Sequence, residues 1–597
     1  MSHRCARRAT PFVAALLTLA GASLSATAQK PKVESQVLLT AEPGVQAQFW
    51  ISHKGQHLAA IVLRGSRQVI VYDGTDGPRF DEIFFVPNLN NSKIVWSEDG
   101  SRYAYFGKVG QELVVIVDGK DALRTPWDAQ MANMSASQIH DLGFTPRSKH
   151  WYVVLFNNQN SRSNYQVVVD GKPGPVSQER PMIAWSPDGE HHAYLQTINP
   201  PNATQPSMAL VVDGKAAPYL AGEPEFTSDG LHLFTKRPVP RATATDILAD
   251  GQPFMRVEGA KLYMAPTGPG VLSAAWVTPP NGTRTAFVTV GNRKVPGSEC
   301  SDNAGIDAVF ISADAKHFAA RCQRQWILVD GKKGMEYPGG FSDVAFTADG
   351  RGVYRATTNN KAFVIVGDQE SDGYATIFPV EGRTRQEPAS LSTPAVIQAN
   401  SFGYIARSGA SGFEFVVVVN GKKYPAVAAS NLTFSPDGSR FAFLAGHPTA
   451  SAVVDGVAYS TLGVDATLGH TGFQGTFQWS ADNKHVAWIV AAPQNGVAID
   501  GKFFATNDRV RLLKFTGDGK HLVWLMRVQT GYVVFVDGVQ VLELPLSLAL
   551  ENEADIRWAF PEDGSIVFIT QDGDAMKRFK ITPGSETSVE TALAKAK

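Results

Sequence analysis

A short phrase recurs along almost the whole chain: an aromatic, Ser or Thr, one residue, Asp-Gly, then an apolar strand. It reads Trp96-Ser97-Glu98-Asp99-Gly100 before Tyr103-Ala104-Tyr105, and Trp185-Ser186-Pro187-Asp188-Gly189 before Ala193-Tyr194. It returns at Phe226–Gly230, Phe346–Gly350, Phe434–Gly438, Trp479–Asn483, Phe515–Gly519 and Phe560–Gly564, with worn copies near Trp50, Phe144 and Phe310. Self-similarity of this kind marks a chain built from units that bury their apolar faces only by stacking on their neighbours.

A second phrase interleaves with the first. A β-branched run ends in Asp-Gly, as in Val117-Asp118-Gly119-Lys120 and Val169-Asp170-Gly171-Lys172. Further copies end at Gly214, Gly251, Gly331, Gly456, Gly501 and Gly538, and Asn420-Gly421 is a variant. Asp-Gly between apolar runs is a strong hairpin signal, because a two-residue type I′ loop needs positive φ at both positions. Two marked turns per unit of roughly 41 residues fit a four-stranded antiparallel sheet.

The strand after the first turn pairs a small residue with an aromatic: Ala104-Tyr105, Ala193-Tyr194, Ala442-Phe443 and Ala487-Trp488. Adjacent strand residues point to opposite faces. A strand that is apolar on both faces lies between two other sheets, as in stacked propeller blades. The expected fold class is therefore all-β: tandem β-propellers with about 13 four-stranded blades in total, six plus seven. The expected division is 29–303 and 304–597, with a boundary near 342 or within 381–393 as alternatives. A strand around Gln36 to Thr40 is expected to complete the last blade and join the two ends of a ring.

Phe434 to Phe443, Phe-Ser-Pro-Asp-Gly-Ser-Arg-Phe-Ala-Phe, and its siblings resemble the WD40-like (PD40) repeats of TolB-type β-propellers. The resemblance spans nearly all of the chain after the leader and implies the propeller fold. Such propellers occur in periplasmic TolB, in prolyl-oligopeptidase-like and tricorn-type peptidases and in some polysaccharide lyases. Repeats that begin soon after the leader leave no room for the α/β domain that precedes the propeller in TolB. The peptidases' α/β-hydrolase domain is also missing, and the repeated Val-Asp-Gly-Lys hairpin departs from these members.

The first 28 residues read as a signal peptide: Arg4, Arg7 and Arg8, an apolar stretch from Pro11 to Leu24, and Ala26-Thr27-Ala28 before a cut at Gln29. The implied location is periplasmic or secreted. No run is apolar for long enough to span a membrane. The whole chain carries a net charge of -1, and losing the three arginines of the leader makes the mature chain more acidic. That balance argues against a nucleic-acid partner. After the leader only Cys300 and Cys322 remain, and in an exported chain they are expected to pair, two separate buried thiols being the alternative.

Motifs for known chemistry are missing. There is no Gly-x-Ser-x-Gly elbow, and Gly409-Ala410-Ser411-Gly412 comes nearest. No His-Glu-x-x-His, Cys-x-x-Cys, phosphate loop or EF-hand loop occurs, so neither a metal nor a cofactor is expected. Seven histidines, His57, His150, His191, His232, His317, His485 and His521, share one repeat slot that Arg102 and Arg440 fill elsewhere. A slot that accepts His or Arg suits a hydrogen-bonding role in the blade. His53, His140, His192, His447 and His470 are less regular, and His447 and His470 flank one blade as the catalytic candidates. The function that follows is a monomeric binding or scaffolding module for a protein or envelope polymer. The alternative is a hydrolase or lyase acting on polysaccharide or peptide in a propeller channel.

Overall fold

The computed structural model describes residues 30–595 apart from segments within and between strands, the longest being 128–137, 379–394, 465–476 and 546–556. The Asp of each second-phrase hairpin takes the positive φ the turn demands, near 50° at Asp118, Asp170, Asp250, Asp455 and Asp537, and its Gly follows with positive φ. These turns and the first-phrase turns fold the chain into antiparallel sheets, most of four strands in sequential order. Thirteen sheets are present among the described residues. They are numbered here in chain order, the first spanning 48–80 and the twelfth 510–545.

The thirteenth sheet joins the ends of the described chain. Strand Lys32–Thr40 pairs antiparallel with Ala575–Thr582, and Arg557–Ala559 and Ile566–Asp572 complete the sheet. The closing strand of the sequence reading thus exists and begins four residues earlier than expected.

Each sheet buries both faces against neighbours. In the second sheet Ala104 packs toward the third, with Leu142, Trp151 and Val153, while Tyr105 packs toward the first, with Ile70 and Phe80. The same polarity holds at Ala193-Tyr194, Ala442-Phe443 and Ala487-Trp488: the small side chain meets the following sheet and the aromatic meets the preceding one. Large against small lets wedge-shaped sheets interdigitate, and the architecture is an all-β propeller.

First strands of successive sheets approach each other, as Ile183–Trp185 does Glu225–Phe226 and Phe477–Trp479 does Val510–Phe515. They therefore form the narrow inner edge of the stack. In a sequential antiparallel sheet, the turns joining strands one to two and three to four lie at one end. The connections two to three, and those to the next sheet, lie at the other. The first end carries the repeated tight turns. The second carries the irregular connections. A short helix, Val589–Lys595, packs Val589 and Leu593 against the eleventh and twelfth sheets.

Candidate functional site

The repeat slot has a definite partner at the regular end. Imidazole Nδ1 lies 2.7 Å from Asp Oδ2 in His57–Asp73, His485–Asp500 and His521–Asp537, and 2.8 or 2.9 Å away in His232–Asp250, His317–Asp330 and His191–Asp213. His150 binds Asp170 in the same way. Arg102 and Arg440 donate through Nε to Asp118 and Asp455 at 2.9 and 2.8 Å. The other carboxylate oxygen accepts the next backbone N–H, that of Leu58, Tyr103, Leu233, Phe441 or Leu522 among others. Each clamp thus fastens the second turn of a sheet to the start of its second strand.

The first turn is fixed just as closely. Its Ser or Thr hydroxyl donates to the turn Asp, as in Ser186–Asp188 and Ser435–Asp437, and accepts the backbone N–H of His191 or Arg440. At Gly189 an added Cβ would strike the Pro146 carbonyl of the preceding sheet, and φ is +79°, so only glycine fits. Arg440 also reaches the Lys484 carbonyl of the next sheet. These contacts account for the histidines and turn aspartates as structural groups. Among the described residues no group of three or more His, Cys, Asp or Glu is placed to hold a metal.

Of the remaining candidates, His447 and His470 lie outside the described residues. Cys300 and Cys322 are both fully buried and joined as a disulfide, with Cα atoms 5.9 Å apart. The bridge ties Cys300–Ser301 of the sixth sheet to Phe318–Cys322 of the seventh.

The inner edge carries a feature that the repeat did not announce. A cleft of about 640 Å³ opens between the third and fourth sheets beside their first strands. Its walls include Asp141, Tyr152, Arg180, Met182 and Trp185. Tyr152 and Trp185 stand with ring centres 4.9 Å apart. The Tyr152 hydroxyl donates to Asp141 Oδ2 at 3.3 Å, and Asp141 Oδ1 accepts the Leu142 N–H at 3.0 Å. Burial pushes the Tyr152 phenol upward and the Asp141 charge adds to this, against the opposing charge of Arg180. Arg180 is exposed, and Met182 is 77% exposed.

Strand Ile139–Phe144 is bulged between Ile139 and Asp141, which takes His140 out of the ladder. First strands of the seventh, tenth and twelfth sheets are bulged in the same region, so the bulge belongs to the repeat. Burial lowers the His140 pKa and the Arg180 charge reinforces the shift, while its buried Nε2 has no hydrogen-bond partner. The site therefore gathers a cation, a carboxylate, two aromatic rings and a thioether side chain on one inner edge, with His140 next in sequence to its Asp141. Sequence reasoning missed it because Arg180 and Met182 occupy a connection with no repeat signature.

No family model matches the chain, and no curated protein matches it. Among solved structures, the β-propeller domain of Myceliophteria thermophila Cps50 (Swd1) is similar at 12% identity and a TM-score of 0.18, covering 56% of this chain and 100% of that one. Kuenenia stuttgartiensis hydrazine synthase is similar at 12% identity and a TM-score of 0.18, covering 53% of this chain and 94% of that one.

Proposed function

We propose that the chain is an exported, TolB-type propeller that binds a protein or envelope polymer through the irregular end of its sheets. The observation that carries this reading is the contrast between the two ends. One is locked by the repeated clamps. The other has connections of varied length, and from one of them, at Arg180 and Met182, a cleft runs along the first strands past Asp141 to Tyr152 and Trp185. Ligand sites concentrate on variable connections held by a rigid scaffold. Exposed Met and Arg suit recognition, since a thioether adapts its shape and a guanidinium presents a rigid fork of donors. Such a cleft fits a segment with both apolar and acidic groups.

The leader at 1–28 supports a periplasmic or secreted location and maturation at Gln29, and the repeats support the PD40 assignment. Among the described residues no helix is long and apolar enough to cross a membrane. The test is a pull-down from envelope extract with the tagged mature chain, repeated with Arg180→Glu/Met182→Asp. The reading expects a captured partner that the double variant loses. Repeated failure to capture any partner counts against it.

One observation favours the alternative of a hydrolase or lyase. His140 is held toward its neutral form with a free Nε2, next in sequence to the Asp141–Tyr152 pair. Cleavage of a polysaccharide or peptide library that His140→Ala abolishes, with binding retained, would establish that reading in place of the first.

A further inference from the structure

Two separate propellers cut from one chain leave a mark on packing order. Consecutive sheets part company at each junction, and each ring must close between sheets distant in sequence. The described residues show consecutive packing throughout. The fifth and sixth sheets meet through Gln252–Glu258 and Gly270–Val277. Shared clusters join the seventh to the eighth, the eighth to the ninth, the ninth to the tenth and the tenth to the eleventh. The eleventh and twelfth share one, as do the twelfth and thirteenth. The thirteenth packs Leu38, Ile569 and Met576 on Leu58, Ala60 and Val71 of the first.

The division points of the sequence reading are bridged as well. The Cys300–Cys322 disulfide spans residue 303. Ala319 and Ile327 pack with Tyr354 and Ile365 across 342, where Arg321 also pairs with Asp343 at 2.9 Å. Thr376–Phe378 and Val396–Gln398, the strands that flank 381–393 in sequence, both pair with Ser401–Arg407 of the ninth sheet. Among the described residues the one extensive contact between sheets far apart in sequence joins the thirteenth to the first.

We propose that the sheets close as a single ring with an open axial passage, in place of two propellers of six and seven. Stacked sheets lie about 10 Å apart and paired strands about 4.8 Å. Thirteen sheets so spaced put their midlines on a circle roughly 21 Å in radius and their inner strands roughly 14 Å from the axis. Facing inner backbones then stand roughly 28 Å apart, where seven sheets leave about 8 Å. A passage of that width admits, by size, an element as thick as an α-helix, about 10–12 Å with side chains. Phe49, Ser430 and Lys514, all on first strands, are exposed, as such an opening requires.

Ring closure is independent of the binding role and is tested without a ligand. Electron microscopy of the mature protein is expected to give one round particle with an open centre. Two joined lobes overturn the proposal. A second measurement uses the lack of other free thiols in the mature chain. Lys514→Cys on an inner strand and Lys422→Cys on an outer strand are each treated with a maleimide carried on a bulky polymer. Similar rates for the two are expected. If Lys514→Cys reacts with small maleimide but resists the polymer, the passage is narrow and the proposal fails.

Discussion

Nδ1 of His521 lies 2.7 Å from Oδ2 of Asp537, while Oδ1 of the same carboxylate accepts the Leu522 N–H at 2.8 Å. The Asp537 side chain is 1% exposed, so both oxygens depend on these partners. Removing them strands a buried donor, which costs about 1–3 kcal/mol. Asp537→Ala is therefore expected to accelerate amide exchange around Leu522 and lower local stability by about that much. Asp250→Ala, at a clamp whose carboxylate is 53% exposed, should cost no more than about 1 kcal/mol. Hydrogen exchange is the suitable measurement, because a chain of this size need not unfold in two states.

One sheet has changed both halves of the clamp. Asn420 stands at the turn with φ 49°, its Oδ1 accepts the Phe402 N–H at 2.9 Å, and its Nδ2 donates to Ser401 Oγ at 3.0 Å. Ser401 occupies the slot that His521 holds. The two positions should thus exchange as a pair. Asp537→Asn combined with His521→Ser is expected to be less destabilising than the two single changes added together. Coupling of about 0.5–3 kcal/mol is typical of contacting residues. Strict additivity in a double-mutant cycle contradicts it.

The clamps give a pH dependence of defined sign. The hydrogen bond to Asp500 raises the His485 pKa above its ordinary value, against burial, and the side chain is only 13% exposed. At His150 burial acts downward, but the bonds to Asp170 and Glu190 outweigh it and the net shift is also upward. Groups raised on folding contribute stability that is complete below the unfolded pKa, about 6.5 for His, and is lost as pH rises through the folded value. His192 runs the other way: burial lowers it, so its contribution is lost as pH falls. Protection factors near His485, taken relative to the intrinsic base-catalysed exchange rate, should fall from about pH 6 to pH 8, and His485→Gln should remove that slope. A slope that survives the substitution contradicts this assignment.

The disulfide closes a loop of sequence separation 22 and ties two sheets together. Reduction, or Cys300→Ala/Cys322→Ala, is expected to lower stability by about 3 kcal/mol. The loss should appear first as faster exchange in Phe318–Cys322 and Trp326–Val329, the strands beside the bridge. Equal loosening of the twelfth sheet runs against that expectation.

The join between the chain ends should be just as sensitive. Leu38 is 1% exposed and packs with Leu58, Val71 and Met576, so Leu38→Ala is expected to cost about 2–5 kcal/mol. Arg578 adds polar ties across the same seam, to Gln56 O at 2.8 Å and Asp73 Oδ2 at 3.0 Å. Exchange along Ala575–Thr582 reads the loosening directly. Unchanged exchange there contradicts the closure.

The scaffold was legible because it is repeated. Small-aromatic pairs such as Ala104-Tyr105 encode burial on both faces, and Asp-Gly encodes the turns. The slot histidines could be read as hydrogen-bonding groups, but their partners lie 13 to 22 residues onward, where no local pattern links them. The cleft was not legible. Asp141 and Tyr152 meet only because their strands pair, and Arg180 and Met182 sit in a connection that repeats nowhere.

The binding account rests on which end of the sheets meets a partner, and site-specific crosslinking decides that most directly. A photoreactive residue is placed at Met182 in the cleft, and in a second protein at Lys172 beside a clamped turn, and each is activated in envelope extract. The account predicts a discrete adduct from position 182 and none from position 172. An adduct from position 172 alone, or the same adduct from both, would contradict it.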